Sequence, residues 1–294
     1  PTGEEADAFA QPATDVGSWD RIPVPASWVL LGDGRYGLPI YTNVRFPFPV
    51  DPPQVPDANP TGDYRRTVEL ADGFGAGARL VLRFDGVESA YRVWWNGREV
   101  GVGKGSRLAH EFDVTELAHP GENVLAVRVH QWSDASYLED QDQWWLPGIF
   151  RDVTLTARPV AGIDDVWLRT SWREGRGWID PELRALPCAY PVRVEVPELG
   201  VDVLWADEAA VAPIVLPSVE PWSAETPRLY QATVSTSAET ITLRLGFRTI
   251  EIVGDQLLAN GRRLVFHGIR HRKVSGASGT LADVIIPIDG SKSF

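Results

Sequence analysis

The sequence predicts an all-β protein made of two antiparallel sandwiches. Three observations carry that expectation. Short segments alternate apolar and polar residues with period two: Leu80, Leu82 and Phe84 alternate with Arg79, Val81 and Arg83. Asn-Gly pairs punctuate such segments at Asn96-Gly97 and Asn260-Gly261, and both central residues of a two-residue hairpin loop need positive φ. No stretch shows a helical period of ordinary length.

The elements follow in chain order. Residues 1–60 are rich in Pro, Gly and Asp with little periodicity. The segment 46–60, FPFPVDPPQVPDANP, cannot be helical because Pro recurs every few residues, so it is expected to run extended over a surface. From Tyr64 the period-two pattern begins. Tyr91, Val93 and Trp95 lead into the Asn96-Gly97 turn, Val124–Val129 follows the turn 120–123, and GIFRDVTLTARPV (148–160) reads as one further strand. Many short strands with polar turns predict a jelly roll over residues 1–160. A boundary falls near Pro159–Asp165. Residues 161–252 again carry short alternating strands, which predict an immunoglobulin-like sandwich without its Cys pair. The stretch between Trp172 and Val201 leaves that sandwich's first strands open. Residues 253–294 hold a hairpin at Asn260-Gly261 and a Gly/Ser-rich tail to which the pattern assigns no structure.

Composition narrows the partners. Apolar residues make up 44% of the 294, enough for a substantial core. The net charge is −12, with Lys and Arg scattered, which argues against nucleic acid and anionic membranes. No run of about 18 apolar residues exists to span a bilayer. The single cysteine, Cys188, cannot form an intrachain disulfide and reads as a small apolar filler. The chain begins at Pro1 and holds no Met, so targeting cannot be read from it.

The richest segment is 137–153, YLEDQDQWWLPGIFRDV, with three acids beside two Trp. That mixture suits a concave polar site with an aromatic wall, the setting of a sugar or a cation. Glycoside hydrolysis needs two carboxylates about 5–9 Å apart, yet Glu139, Asp140 and Asp142 on one loop fit ion binding or Arg pairing better. For Asp142 two readings stand: a hard-cation ligand, or an ion pair to Arg151 or another Arg. Asn43 can donate and accept to sugar hydroxyls at once, or simply form a turn. His110, His119, His130, His267 and His271 read as structural or surface residues. GVGKGS (101–106) has the wrong spacing for a phosphate loop and reads as a turn.

Several long strings together resemble a known family: IPVPASW (22–28), PIYTNVRFPFPVDPPQVPDANPTGDYRR (39–66), FDGVESAYRVWWNGREVGVGKGSRLAHEFDVTEL (84–117) and WSDASYLEDQDQWWLPGIFRDV (132–153). They are similar to the N-terminal sugar-binding jelly roll of the β-galactosidases of glycoside hydrolase family 2. PWSAETPRLYQATV (221–234), GFRTIEI (246–252) and LLANGRRLVFHGI (257–269) resemble the following immunoglobulin-like domain and the lead-in to a (β/α)8 barrel. The YTNV and LEDQD strings favour β-galactosidases over β-glucuronidases and β-mannosidases. The resemblance implies that Asn43, followed by Val44, contacts galactose hydroxyls. It implies that Asp142 contacts galactose and Na⁺, with Glu139 and Asp140 as supports of the loop. It places Mg²⁺ in the barrel, and implies a cytoplasmic, homo-oligomeric, retaining enzyme acting on lactose and similar β-galactosides. The catalytic Glu pair would lie in a barrel of about 250 residues, whereas few residues follow Arg270 and no Asn-Glu pair occurs. Where the family reads Gly-Val-Asn-Arg-His-Glu, this chain reads Gly268-Ile269-Arg270-His271-Arg272-Lys273. The expectation is a chain truncated before the barrel and inactive alone. The alternative is a non-catalytic carbohydrate- or partner-binding module presenting exposed Trp144 and Trp145.

Overall fold

The structure, a computed structural model, describes residues 4–42, 44–139, 142–269 and 284–287. The chain divides into two compact units, Pro1–Arg158 and Pro159–Phe294. Among the described residues every helical piece is a short 3₁₀ turn and the rest of the regular structure is strand.

The first unit contains β1 (Ile40–Tyr41), β2 (Thr61–Leu70), β3 (Ala78–Phe84), β4 (Val87–Glu88), β5 (Ala90–Trp95), β6 (Arg98–Lys104), β7 (His110–Asp113), β8 (Gly121–His130), β9 (Trp144–Trp145), β10 (Gly148–Ile149) and β11 (Val153–Pro159). One sheet has the order β2-β8-β5-β6 and another β11-β3-β7. Their inward residues, including Leu82, Phe84, Tyr91, Val93, Trp95, Phe112 and Val127, form one core. The hairpin turn stands where the Asn-Gly pair requires it, with Asn96 at φ 51° and Gly97 at φ 80°.

Three expectations change here. The strand expected from Val124 begins at Gly121, because β2 and β8 pair over their full length from Thr61↔His130 to Leu70↔Gly121. The single strand expected over 148–160 is two, since Asp152 accepts from the Asp85 amide at 3.0 Å and the Arg151 amide reaches Gly86 O at 3.3 Å, turning the chain between them. In the supposed turn GVGKGS, residues 101–104 belong to β6. The Tyr91 ring explains one of those glycines: a Cβ on Gly103 would come within 2.3 Å of it.

Along β5, Trp94 faces away from the core. It meets Phe9 edge-on at 5.2 Å, and Asp7 pairs with Arg92 at 3.1 Å and Arg128 at 3.3 Å. Arg65 donates to the carbonyls of Phe9, Pro12 and Thr14. The aperiodic start of the chain is therefore held on the outer face of the four-stranded sheet by polar clamps, which leave no periodic signature.

The second unit contains β12 (Ile163–Arg173), β13 (Arg176–Ala185), β14 (Val192–Val196), β15 (Val201–Trp205), β16 (Ile214–Leu216), β17 (Tyr230–Ser235), β18 (Thr240–Leu245), β19 (Ile250–Val253), β20 (Gln256–Ala259), β21 (Arg262–Arg263), β22 (Phe266–Ile269) and β23 (Val284–Pro287). Sheets β12-β13-β16 and β15-β14-β17-β18 enclose Ile179, Val192, Val194, Val196, Ala232, Val234 and Phe247. The strand left open between Trp172 and Val201 is β13, paired along β12, while the alternating string YPVRVEV (190–196) forms β14 as expected. The hairpin at Asn260-Gly261 forms as expected, with φ 50° and 77°. The tail also gains an element: β23 pairs antiparallel with β22, from Phe266↔Pro287 to Ile269↔Val284. Arg270, His271 and the rest of 270–283 lie outside the described residues. Cys188 is exposed, not a filler, and its thiol reaches Val160 O at 3.5 Å.

Candidate functional site

Two segments far apart in sequence meet at one end of the first unit. β1 pairs antiparallel with β9, Ile40 opposite Trp145 and Tyr41 opposite Trp144. The Tyr41 and Trp144 rings pack in a tilted pair, 5.4 Å between centroids. The Trp145 indole N–H donates to Thr42 Oγ1 at 3.2 Å. The Tyr41 hydroxyl donates to Asp142 Oδ1, which fixes that half-buried carboxylate against the YTNV segment. Asn43, Asp140 and Gln141 lie outside the described residues. Val44, next to Asn43, is 88% exposed.

Behind this pair an aromatic wall runs from Trp145 to Trp132 (5.2 Å), Phe48 (5.0 Å) and Tyr137 (5.6 Å). It pins the Pro-rich segment, which lacks a ladder of its own. Tyr137 Oη donates to Gln54 O at 2.6 Å, and Asn59 exchanges two bonds with the Trp132 backbone at 2.8 and 2.9 Å. The expectation of an exposed Trp144–Trp145 pair is corrected: Trp145 is only 5% exposed, because it is packed on Trp132 with its indole N–H satisfied, and Trp144 is half-buried.

Buried polar groups hold the acidic loop. Glu139 accepts from both the Ser106 amide and the Ser106 hydroxyl, each at 2.6 Å. Glu88 accepts from the Leu146 amide at 3.0 Å and from Arg107 at 3.0 Å. Burial pushes the Glu88 carboxyl above the usual carboxylate range, with Arg107 opposing it. Ser27 Oγ donates to Leu146 O at 3.0 Å, and the Ala26 amide to Ile149 O at 2.8 Å. Gly148 is required here: its φ is 135°, and a Cβ would stand 2.7 Å from Ala26 O. Arg151, one suggested partner of Asp142, instead donates to the carbonyls of Asp85 and Arg107.

Sequence reasoning missed Tyr41, Glu88 and Ser106. Glu88 sits inside a strand-like string and Ser106 inside an apparent turn, so neither carries a pattern; Tyr41 could have been found from its place in the YTNV string. Chemically, the arrangement offers one oriented carboxylate, an aromatic surface for sugar C–H faces and a rigid frame. Among the described residues no three or more His, Cys, Asp or Glu side chains gather around a point. A hard cation takes six or more oxygens, so Asp142 fits one corner of such a site and not the whole of it.

The first unit is an antiparallel β-sandwich with an aromatic and acidic rim at one end. Residues 7–159 match the family model "Glycosyl hydrolases family 2, sugar binding domain", and residues 190–248 match "Glycosyl hydrolases family 2". The chain belongs to glycosyl hydrolases family 2. It is 62% identical over 284 residues to a beta-galactosidase of Arthrobacter sp. (strain B7), covering 96% of this chain and 28% of that protein. A beta-galactosidase of Vibrio vulnificus (strain CMCP6) is 40% identical, with 90% and 28% covered. The chain thus spans about a quarter of the length of these relatives. Among solved structures, a beta-glucuronidase of an uncultured Clostridium sp. shares the fold with a TM-score of 0.68 at 23% identity, over 95% of this chain and 47% of that one.

Proposed function

We propose that this chain is the N-terminal portion of a retaining β-galactosidase that hydrolyses terminal non-reducing β-D-galactose residues, as in lactose. Its part is to bind: Asn43, Val44 and Asp142 face the galactose, and the catalytic Glu pair belongs to polypeptide outside these 294 residues. The observation that carries this reading is the β1–β9 pair, which sets Tyr41 to hold Asp142 beside the aromatic wall. Tyr41 keeps the carboxylate pointed, and Trp145 braces Thr42, the residue before Asn43. Na⁺ takes Asp142 as one ligand and would neutralise its charge next to the sugar; Mg²⁺ belongs to the rest of the enzyme, a cytoplasmic homo-oligomer.

The test uses the chain as it is. Galactose, in the presence of Na⁺, is expected to shift tryptophan fluorescence at millimolar concentration, glucuronate is not, and Asp142→Ala is expected to weaken the response about tenfold or more, the scale of a lost charged hydrogen bond. Equal responses to both sugars, or an unaltered response in the variant, would overturn the binding role. Release of o-nitrophenol from a galactoside by the chain alone would overturn the placement of the catalytic pair.

A further inference from the structure

On the second unit the edges of β12 and β18, the outer strands of the two sheets, border a trough of about 470 Å³. Its lining includes the exposed apolar side chains Trp167, Leu229 and Ile250, at 56%, 38% and 49% exposed. Arg169, Arg244 and Arg248 stand around it. Arg169 reaches Glu182 at 3.2 Å in an exposed pair. Arg244 and Arg248 are exposed and make no ion pair among the described residues. The Arg248 guanidinium lies over the Trp222 ring at 4.7 Å. Arg244 and Arg248 thus border exposed apolar side chains without a neutralising carboxylate, on a chain of net charge −12.

The backbone adds a second, independent feature. The β12–β13 register is unbroken from Asp165 to Arg173. The Trp172 amide donates to Thr249 Oγ1 at 3.0 Å and its carbonyl accepts from that hydroxyl at 2.5 Å, so both point away from β13. Peptide groups alternate in direction along an antiparallel strand. Those of Thr170, Leu168 and Val166 therefore face the same free edge, where no strand pairs among the described residues.

We propose that this trough docks an extended, carboxylate-bearing polypeptide segment as an added strand on the β12 edge. Main-chain bonds to Val166, Leu168 and Thr170 supply the ladder, as in β-strand addition. Alternate side chains of the incoming segment point to opposite faces: apolar ones meet Leu229 and Ile250, and acidic ones meet Arg244, Arg248 and Arg169. The arginines select for charge, while the edge demands a peptide backbone. An anionic polysaccharide or a nucleic acid would answer the first requirement and not the second. The inference is independent of the sugar-binding reading.

Two short peptides test it, one alternating Glu with Val and one alternating Lys with Val. Binding is followed by tryptophan fluorescence at low salt, and amide exchange is read at Val166 and Leu168. The Glu peptide is expected to bind at least about tenfold tighter than the Lys peptide, with the preference falling as salt screens it. Both amides are expected to become protected. The double substitution R244E/R248E, at two exposed positions outside any ion pair, is expected to erase the preference without changing the unfolding midpoint by more than a few degrees. Equal binding of the two peptides, no binding, or binding without amide protection would overturn the proposal. Protection that rises with protein concentration in the absence of peptide would overturn it in favour of a second copy of the chain.

Discussion

In the second unit every buried side chain among the described residues is aliphatic or aromatic, whereas the first unit buries Ser27, Glu88, Ser89, Ser106, Asn123, Gln131, Ser133 and Ser136. Both units are antiparallel sandwiches of similar design, so the difference is not one of fold. Burying a polar group costs free energy unless its bonds are made, and a core does not need one. The first unit keeps them where chain segments lack a ladder. Ser89 Oγ donates to Ser133 Oγ at 2.9 Å, the Ser133 amide bonds Ser136 Oγ at 3.1 Å, and Glu88 takes the Leu146 amide. Asn123 Oδ1 accepts from Trp95 Nε1 at 3.3 Å and from Asn96 Nδ2 at 2.9 Å, locking the hairpin end. Apart from Asn123, these polar groups cluster around the loops that carry Asp142 and Trp145. The core of the second unit holds strands; the polar groups of the first hold irregular backbone in one shape.

The contrast breaks first by volume. Phe247 is fully buried in the second core and meets Tyr230 edge-on at 5.7 Å. Phe247→Ala is expected to cost about 3–5 kcal/mol through lost burial and an unfilled cavity. Urea unfolding of the variant should show a transition lost from the second unit while the Trp145 environment of the first is retained. A joint loss of both units in one transition would mean that their cores are not energetically separate.

The polar half of the contrast is sharpened at Glu88. Glu88→Ala leaves the buried Leu146 amide without its acceptor and Arg107 without its partner, an expected cost of about 2 kcal/mol. Its pH dependence has a definite sign. Burial raises the folded-state pKa of Glu88 above its unfolded value, so the folded state binds the proton more tightly. The stability contribution of this group is fully present below the unfolded pKa and is lost as pH rises through the raised folded value. Glu88→Gln keeps the shape and cannot ionise. Denaturation midpoints of wild type and Glu88→Gln should therefore diverge as pH rises from about 4 toward 7, with the wild type losing ground. Parallel curves would show that Arg107 cancels the burial effect completely.

Legibility in the sequence followed the same division. Period-two alternation marked Leu80–Phe84 and Tyr91–Trp95, and the Asn-Gly pairs marked both hairpins, because these features are local. The alternating DVWLRTSW (165–172) marked β12, but its partner β13 escaped, since Asp180, Pro181 and Arg184 interrupt the alternation and the turn between them is Glu174-Gly175, at φ 49° and 84°. Asp142 was visible as a candidate from its acidic, Trp-rich neighbourhood. Tyr41 and Glu88 were not, because their roles come from partners about 101 and 58 residues away. Trp145 was legible as an aromatic and misread as exposed, since burial depends on Trp132 closing over it.

The smallest effect tests the first core itself. The Tyr91 ring is buried against Phe84 at 5.1 Å and Phe112 at 6.2 Å, and its hydroxyl has no hydrogen-bond partner among the described residues. Burial pushes the phenol above its usual pKa, as expected where nothing stabilises the charged form. Here the first unit holds a polar atom that fastens no loop, which departs from the pattern of Glu88 and Ser133. Tyr91→Phe removes that hydroxyl and keeps the ring that fills the space over Gly103. The substitution is expected to be neutral or to stabilise by up to about 1 kcal/mol, because an unmet desolvation cost disappears. A shift of the unfolding midpoint upward by a few degrees at most would match. A loss of about 1 kcal/mol would mean that the hydroxyl is satisfied after all and that Tyr91 follows the pattern of Glu88 and Ser133.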